Sequence, residues 1–231
     1  MRIINKLNLL MLLAAMATAC GSRENAVSDG AVADSQIVDS GESGQRTNHL
    51  SASKPSRQLA IKDASCQYQL NNQAGNDYSP LNMTDGKSAT AWAAPLDKID
   101  DYYDNGMIVG PVFYLAEPAR ITGVALRNGY CKNNVSFRNN SRASWVLIYR
   151  YHPEYDGETG EDQMMGFIED ADIIYEGSVQ DNMELQYFPA GKKFDNSQTT
   201  AAVGLIFRHG WFYRGEKWND LCLSEIKIFG S

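Results

Sequence analysis

No aromatic residue occurs before Tyr68; the 12 Tyr, 8 Phe and 4 Trp all lie from there to Phe229. A stretch without aromatics buries too little apolar surface to offset its ordering entropy, so the folded body has to follow it. Histidine is nearly as scarce: His49, His152 and His209 lie far apart and outside ligand-type spacing, which argues against a zinc hydrolase. There is no sustained Lys/Arg run, and the net charge is −7 with a pI near 5.0. Without a basic face to displace counterions, nucleic acid is not an expected partner. Also missing are a Gly-x-Ser-x-Gly elbow, a phosphate-cradling glycine loop, a His-Glu-x-x-His pair and a dinucleotide fingerprint. Acidic pairs such as Asp100/Asp101 and Glu169/Asp170 are adjacent in sequence, so in extended chain they point apart. Two separated, buried carboxylates are the one hydrolytic arrangement that a sequence can hide. The expectation is a protein that binds and does not catalyse.

What is present begins with an address. Arg2 and Lys6 supply a positive start, and Leu7 to Ala17 form an apolar run broken only by Asn8. The run is too short to span a bilayer and suits the hydrophobic region of a signal peptide. It ends in Ala17-Thr18-Ala19-Cys20, which resembles a bacterial lipobox, with Ala17 where Leu is commoner. The resemblance implies a signal peptide over residues 1–19 and lipidation of Cys20, a durable anchor to the membrane. The alternative is an ordinary secretory signal cleaved near Cys20. Gly21 follows, rather than the Asp of an inner-membrane retention signal, which favours the outer membrane of a bacterial envelope. Residues 20–61, rich in Ser, Ala, Gly and Asp, read as a disordered tether.

From residue 62 to 231 the signals are those of an all-β domain. Short runs rich in β-branched and aromatic residues are broken by Gly, Asn, Asp and Pro: Val112 to Leu115, Ile121 to Arg127, Trp145 to Tyr151, Ile173 to Gly177, Glu184 to Phe188, Ala202 to Arg208 and Ser224 to Phe229. Seven or so strands without a long amphipathic helix suggest a jelly-roll β-sandwich. Phe167 to Ile174 is the nearest helical candidate. His152 to Asp172, crowded with acidic residues and glycines, reads as an exposed insertion between strands.

Four spaced motifs carry a family resemblance. The stretch from Tyr78 to Trp92 contains Asn82-x-x-Asp85-Gly86-x-x-x-Thr90-x-Trp92, a tight polar turn closed by an indole suited to the core. It is followed by Arg127-Asn128-Gly129-Tyr130-Cys131-Lys132, by Phe137-Arg138-Asn139-Asn140-Ser141-Arg142, and by Gly215, Lys217-Trp218-Asn219-Asp220-Leu221-Cys222 and Leu223-Ser224-Glu225-Ile226. This ordered set is similar to the NADase-type glycan-binding domain, a branch of the discoidin-like, galactose-binding-like sandwiches. The NAD-cleaving activity in that name belongs to a different domain of a toxin and is not carried over.

The resemblance implies a binding module with carbohydrate as ligand. Sugar recognition wants an aromatic face for the apolar side of the ring, with planar donors and acceptors for the hydroxyls. Tyr130, Trp211, Tyr213 and Trp218 are the aromatic candidates, and Arg127, Asn128, Arg142, Lys217 and Asp220 the polar ones. For each aromatic the competing role is core filling; Trp92 and Trp145, within or beside strand-like runs, are assigned to the core. The resemblance also implies a structural Ca²⁺ held by Asp85, Thr90 and Glu225, hard oxygen ligands of the right kind. The competing reading, that Glu225 hydrogen-bonds the turn without metal, stays open. No cofactor is required. In the same way a Cys131–Cys222 disulfide is implied, with Cys66 free; Cys66–Cys222 is the alternative. A second function stands beside the glycan reading: an accessory envelope lipoprotein that binds a protein partner or peptidoglycan, which would need a wider apolar patch.

Overall fold

A computed structural model describes residues 56–73, 75–99, 106–152 and 168–231. The signal segment 1–19, Cys20, the tether up to residue 55, Asp100/Asp101 and most of the acidic insertion lie outside the described residues.

The seven sequence-derived strands are all present. They are β4 (Met107–Ala119), β5 (Ile121–Asn128), β7 (Trp145–Tyr151), β8 (Ile173–Ser178), β9 (Leu185–Pro189), β10 (Thr200–Arg208) and β12 (Asp220–Gly230). Five shorter ones join them: β1 (Arg57–Gln58), β2 (Ile61–Ser65), β3 (Trp92–Pro95), β6 (Arg142–Ala143) and β11 (Phe212–Tyr213). Because β1 starts at Arg57, ordered structure reaches into the stretch assigned to the tether. Phe167 to Ile174, the nearest helical candidate with a loop turn as its alternative, holds in its described residues a 3-10 turn, Asp170–Asp172, running straight into β8.

Two antiparallel sheets face each other. One has the order β2-β4-β10-β7-β8; in the other β12 pairs with β5 and through it β9, with β1 at its end and with β3 along its first half. Between them lies the main core, with Ile121, Val124, Leu126, Leu223, Ile226 and Ile228 on one side and Phe113, Val146, Ile148, Val203, Leu205 and Phe207 on the other. Trp92 fulfils its core assignment. It is 1% exposed, stacks on Phe207 at 6.1 Å and donates from Nε1 to the Tyr68 carbonyl at 3.0 Å. Trp145 is buried too, but in a second apolar cluster with Leu147, Tyr149, Tyr151, Val112 and Ile206. Along β7 these alternate with Val146 and Ile148, so the strand is buried on both faces, and its unbroken apolar run reflects that.

The core phase of β12 changes midway. Leu221 and Leu223 face the core in the half that pairs with β3, and Ile226 and Ile228 in the half that pairs with β5. The change falls at Ser224–Glu225 and brings both into buried positions. Ser224 Oγ then donates to the Gly129 carbonyl at 2.8 Å and accepts from the Cys131 N–H at 2.9 Å, fixing the loop after β5.

Candidate functional site

Three loops and two strand ends meet at one end of the sandwich. The loop after β5 leads into a short helix, α2 (Asn134–Asn139), whose N-cap Asn133 accepts from the Ser136 N–H at 2.8 Å. It can turn there because Gly129 takes φ +85°, and a Cβ at that place would lie 2.8 Å from both Arg142 Cγ and the Phe137 ring. The β11–β12 loop is strapped to the end of α2 by backbone bonds from Glu216 to Arg138 and from Lys217 and Trp218 to Asn139. Gly215 lets the two backbones come together, since a Cβ there would sit 2.5 Å from the Asn139 carbonyl oxygen. On the far side β3 passes into α1 (Leu96–Ile99), and the Leu96 N–H bonds the Asn219 carbonyl at 3.0 Å.

These contacts leave a cleft of about 520 Å³. Tyr78, Tyr130 and Trp218 supply its aromatic surface, with Asp97, Asp220 and Lys132 as its charged groups. Trp218 is 45% exposed and carries Lys217 Nζ over its ring, 4.5 Å from the centroid. Tyr78 and Tyr130 are half-buried; burial pushes both phenols upward, so they stay neutral donors. Burial and then the neighbouring Asp97 carboxylate push Asp220 above the ordinary carboxylate value. Within the described residues, no hydrogen-bond donor or ion-pair partner reaches the carboxylates of Asp97 and Asp220, the Lys132 ammonium or the Tyr130 hydroxyl.

Three of the sequence-derived ligand residues, Tyr130, Trp218 and Asp220, therefore line the cleft, and Lys217 reaches it through Trp218. The others are engaged elsewhere. Arg127 donates from Nε to Glu225 Oε2 at 2.9 Å and from Nη1 to the Met183 carbonyl at 2.6 Å. Asn128 is buried, with its side chain bonded both ways to the Ala143 backbone. Arg142 holds Asp181 through two bonds (2.6 and 3.1 Å), donates to the Phe137 and Asn140 carbonyls, and lies over the Phe137 ring. Tyr213 donates its hydroxyl to the Val179 carbonyl at 3.1 Å. Trp211 is 47% exposed beneath Arg208, outside the cleft. Tyr78, Asp97 and Lys132 were not singled out from the sequence. Tyr78 precedes the polar turn and Lys132 sits inside a motif already quoted, so both had a positional signal; Asp97 had none.

The expected calcium ligands do not assemble. Thr90 Oγ1 reaches both Asp85 oxygens (3.0 and 2.9 Å) and the Lys87 N–H donates to Asp85 Oδ1, so the turn is closed by its own bonds. Glu225 is spoken for by two cations, Arg127 Nε at Oε2 and Lys227 Nζ at Oε1, 3.1 Å away. Burial raises the Glu225 carboxyl, but the hydrogen bonds and charges of Arg127 and Lys227 outweigh it and hold the group below the usual range. Calcium needs roughly six to eight oxygen ligands. A carboxylate already neutralised by two side-chain cations is a poor one, and among the described residues no group of three His, Cys, Asp or Glu could hold a metal. The donor set does not fit the ion.

The expected Cys131–Cys222 disulfide is not formed, nor is its alternative: Cys66, Cys131 and Cys222 are free thiols. Cys131 Sγ donates to the Asn128 carbonyl at 3.1 Å and Cys222 Sγ to that of Asp220 at 3.6 Å, each to backbone two or three residues before it. Burial pushes the Cys131 thiol up to about 11 and Cys222 higher still, which removes nucleophilic character from both.

Residues 56–229 match the model of the NAD glycohydrolase translocation F5/8 type C domain. The chain belongs to this family. No curated protein matches it in sequence. Among solved structures this F5/8 type C domain is similar to CpGH89CBM32-5 from Clostridium perfringens in complex with GalNAc-beta-1,3-galactose, at 14% identity and TM-score 0.46, over 73% of this chain and 94% of that one. It is similar to the F5/8 type C domain of a Bacteroides fragilis protein, at 14% identity and TM-score 0.44, over 75% and 97%. It is also similar to a chain of reduced XRCC1 bound to the DNA pol beta catalytic domain, at 13% identity and TM-score 0.48, over 76% and 99%.

Proposed function

We propose that this F5/8 type C domain is a non-catalytic binding module of the bacterial envelope, anchored by a lipid on Cys20 and taking a carbohydrate in the cleft beside Trp218. One observation carries the reading. An exposed indole and two half-buried phenols share a concave surface with polar groups that no other part of the described protein satisfies. Elsewhere in the domain polar side chains at loop ends are bonded, as Arg127, Asn128 and Arg142 are; at the cleft Asp97, Asp220, Lys132 and the Tyr130 hydroxyl have no partner among the described residues. Aromatic rings beside unpaired donors and acceptors suit a pyranose, which has an apolar face and a hydroxylated rim.

A glycan array probed with the full-length chain tests this, with Trp218→Ala alongside. Binding that the substitution abolishes supports the reading, and a blank across diverse saccharides overturns it in favour of a protein partner. Bound oligosaccharide recovered uncleaved after prolonged incubation supports the absence of catalysis. Fractionation of Cys20→Ser tests the anchor: a shift from the outer-membrane to the soluble fraction is expected, and unchanged membrane association would remove that part of the proposal.

A further inference from the structure

Resting on the reading of this cleft as a carbohydrate site, we infer that its ligand carries a positive charge: an amino sugar whose amine is not acetylated, with the ammonium seated between Asp97 and Asp220. The backbone brings these two carboxylates together. Asp220 opens β12 opposite Pro95, the last residue of β3, and Asp97 lies just beyond Pro95 in α1, which the Leu96–Asn219 bond pins to the same loop. Both side chains line one cavity and repel each other across it. Two cations are near, Lys132 exposed in the wall and Lys217 over the Trp218 ring, and among the described residues neither makes an ion pair with the two carboxylates.

The chemistry separates three ligand classes. A uronate or other acidic sugar would bring a third negative charge beside an exposed carboxylate, Asp97, and a partly buried one, Asp220. A neutral sugar could hydrogen-bond the carboxylates but would leave their repulsion in place. An ammonium relieves it and makes charge-assisted bonds to both. The rest of the wall is compatible, since Tyr78, Tyr130 and Trp218 line the same cleft and their electron-rich rings are of the kind that attract cations, as Lys217 over Trp218 already shows. Lys132 remains free to donate to ring or hydroxyl oxygens.

Calorimetric titration of the full-length chain with glucosamine oligomers, their N-acetylated counterparts and galacturonate oligomers tests the inference, at low salt and a pH where the amine is charged. The amine form is expected to bind about tenfold tighter than the acetylated form, a difference of ~1.4 kcal/mol, and the uronate weakest. Asp97→Asn and Asp220→Asn should each shrink the ratio of amine to acetylated affinity. Asp97 is exposed, so its replacement leaves the fold alone and keeps the test valid if the Asp220 variant is unstable. Equal or tighter binding of the acetylated or acidic oligomers overturns the charge assignment while the carbohydrate reading stands. A preference for amine that survives both substitutions overturns the role of the two aspartates. No binding of any saccharide overturns this inference and the carbohydrate reading together.

Discussion

Arg142 and Lys132 lie on the same connection between β5 and β7, yet their surroundings are opposite. The Arg142 guanidinium is buried and divided among Asp181 and two carbonyls, whereas Lys132 stands exposed in the cleft wall and has no partner among the described residues. The same contrast separates Glu225, neutralised by Arg127 and Lys227, from Asp220, which among the described residues has no ion-pair partner and is pushed further by the Asp97 carboxylate. One set of polar residues builds the end of the sandwich, and the other is held in place by it. A motif that looks like a ligand set is therefore mostly a loop-fixing set, and the binding surface is the part that the loop fixing leaves unsatisfied.

The largest effect that would sharpen this contrast is loss of Arg142. Arg142→Ala removes the stem packed on Phe137 and strands the Phe137 and Asn140 carbonyls, each such loss costing about 1–3 kcal/mol, while Asp181, an exposed partner, is left to water. Denaturant unfolding should show a fall in unfolding free energy of that size. A loss below ~1 kcal/mol would place Arg142 with the exposed, dispensable ion pairs instead. The counterpart is Trp218→Ala. Truncating a central aromatic anchor costs about 2 kcal/mol or more, roughly thirtyfold in affinity, while an exposed side chain contributes little to folding. Binding should therefore collapse with an unfolding midpoint close to the parent's; the reverse pattern would make Trp218 a structural residue.

The third prediction concerns Glu225. Since Arg127 and Lys227 occupy both of its oxygens, added calcium or a chelator should leave the melting temperature unchanged. A rise with calcium would show that the ion displaces the two cations. The pair should be visible in pH instead. Glu225 has a folded-state value held below the unfolded one, so its contribution is present above the unfolded value and is lost as pH falls through the folded one. Glu225→Gln should flatten the acid limb of the stability profile.

The strands were legible because long pairings need β-branched and aromatic runs, and β7 and β10 supply them without interruption. β1, β6 and β11 were not, because each is a two-residue pairing set by its neighbour and not by its own composition. The site was harder. Arg127 and Arg142 have the right chemistry for a sugar, but their carboxylate partners are 98 and 39 residues away in sequence, and no local pattern reveals that they are already bonded. Asp97 is the converse: nothing marks it, and only the pairing of β3 with β12 sets it beside Asp220. Trp218 and Tyr130 could be found because a large aromatic between Gly, Asn and Asp has few neighbours to pack against.

The smallest expected effect bears most directly on the difference between the two sets. Asp220 has a folded-state value above its unfolded one, so between the two the folded protein holds a proton that the unfolded chain has released. Stability from this group is therefore full at low pH and lost as pH rises through that window, the opposite of Glu225. Among the described residues, the groups near it are the carboxylate of Asp97, the ammoniums of Lys132 and of Lys217 over Trp218, the phenols of Tyr78 and Tyr130 and the Cys222 thiol; of these, near neutral pH, Asp97 and the two lysines are charged. Asp220→Asn removes the unfavourable ionisation, so it should raise the melting temperature slightly at pH 7, with the gain vanishing as pH falls below the window. The same substitution should weaken binding of a cationic sugar, so that stability and affinity move in opposite directions at one residue, as expected where a site is kept charged for its ligand. A melting temperature that drops at pH 7 would mean that Asp220 has a partner in the fold, and would move it from the set left for a ligand to the set that builds the loops.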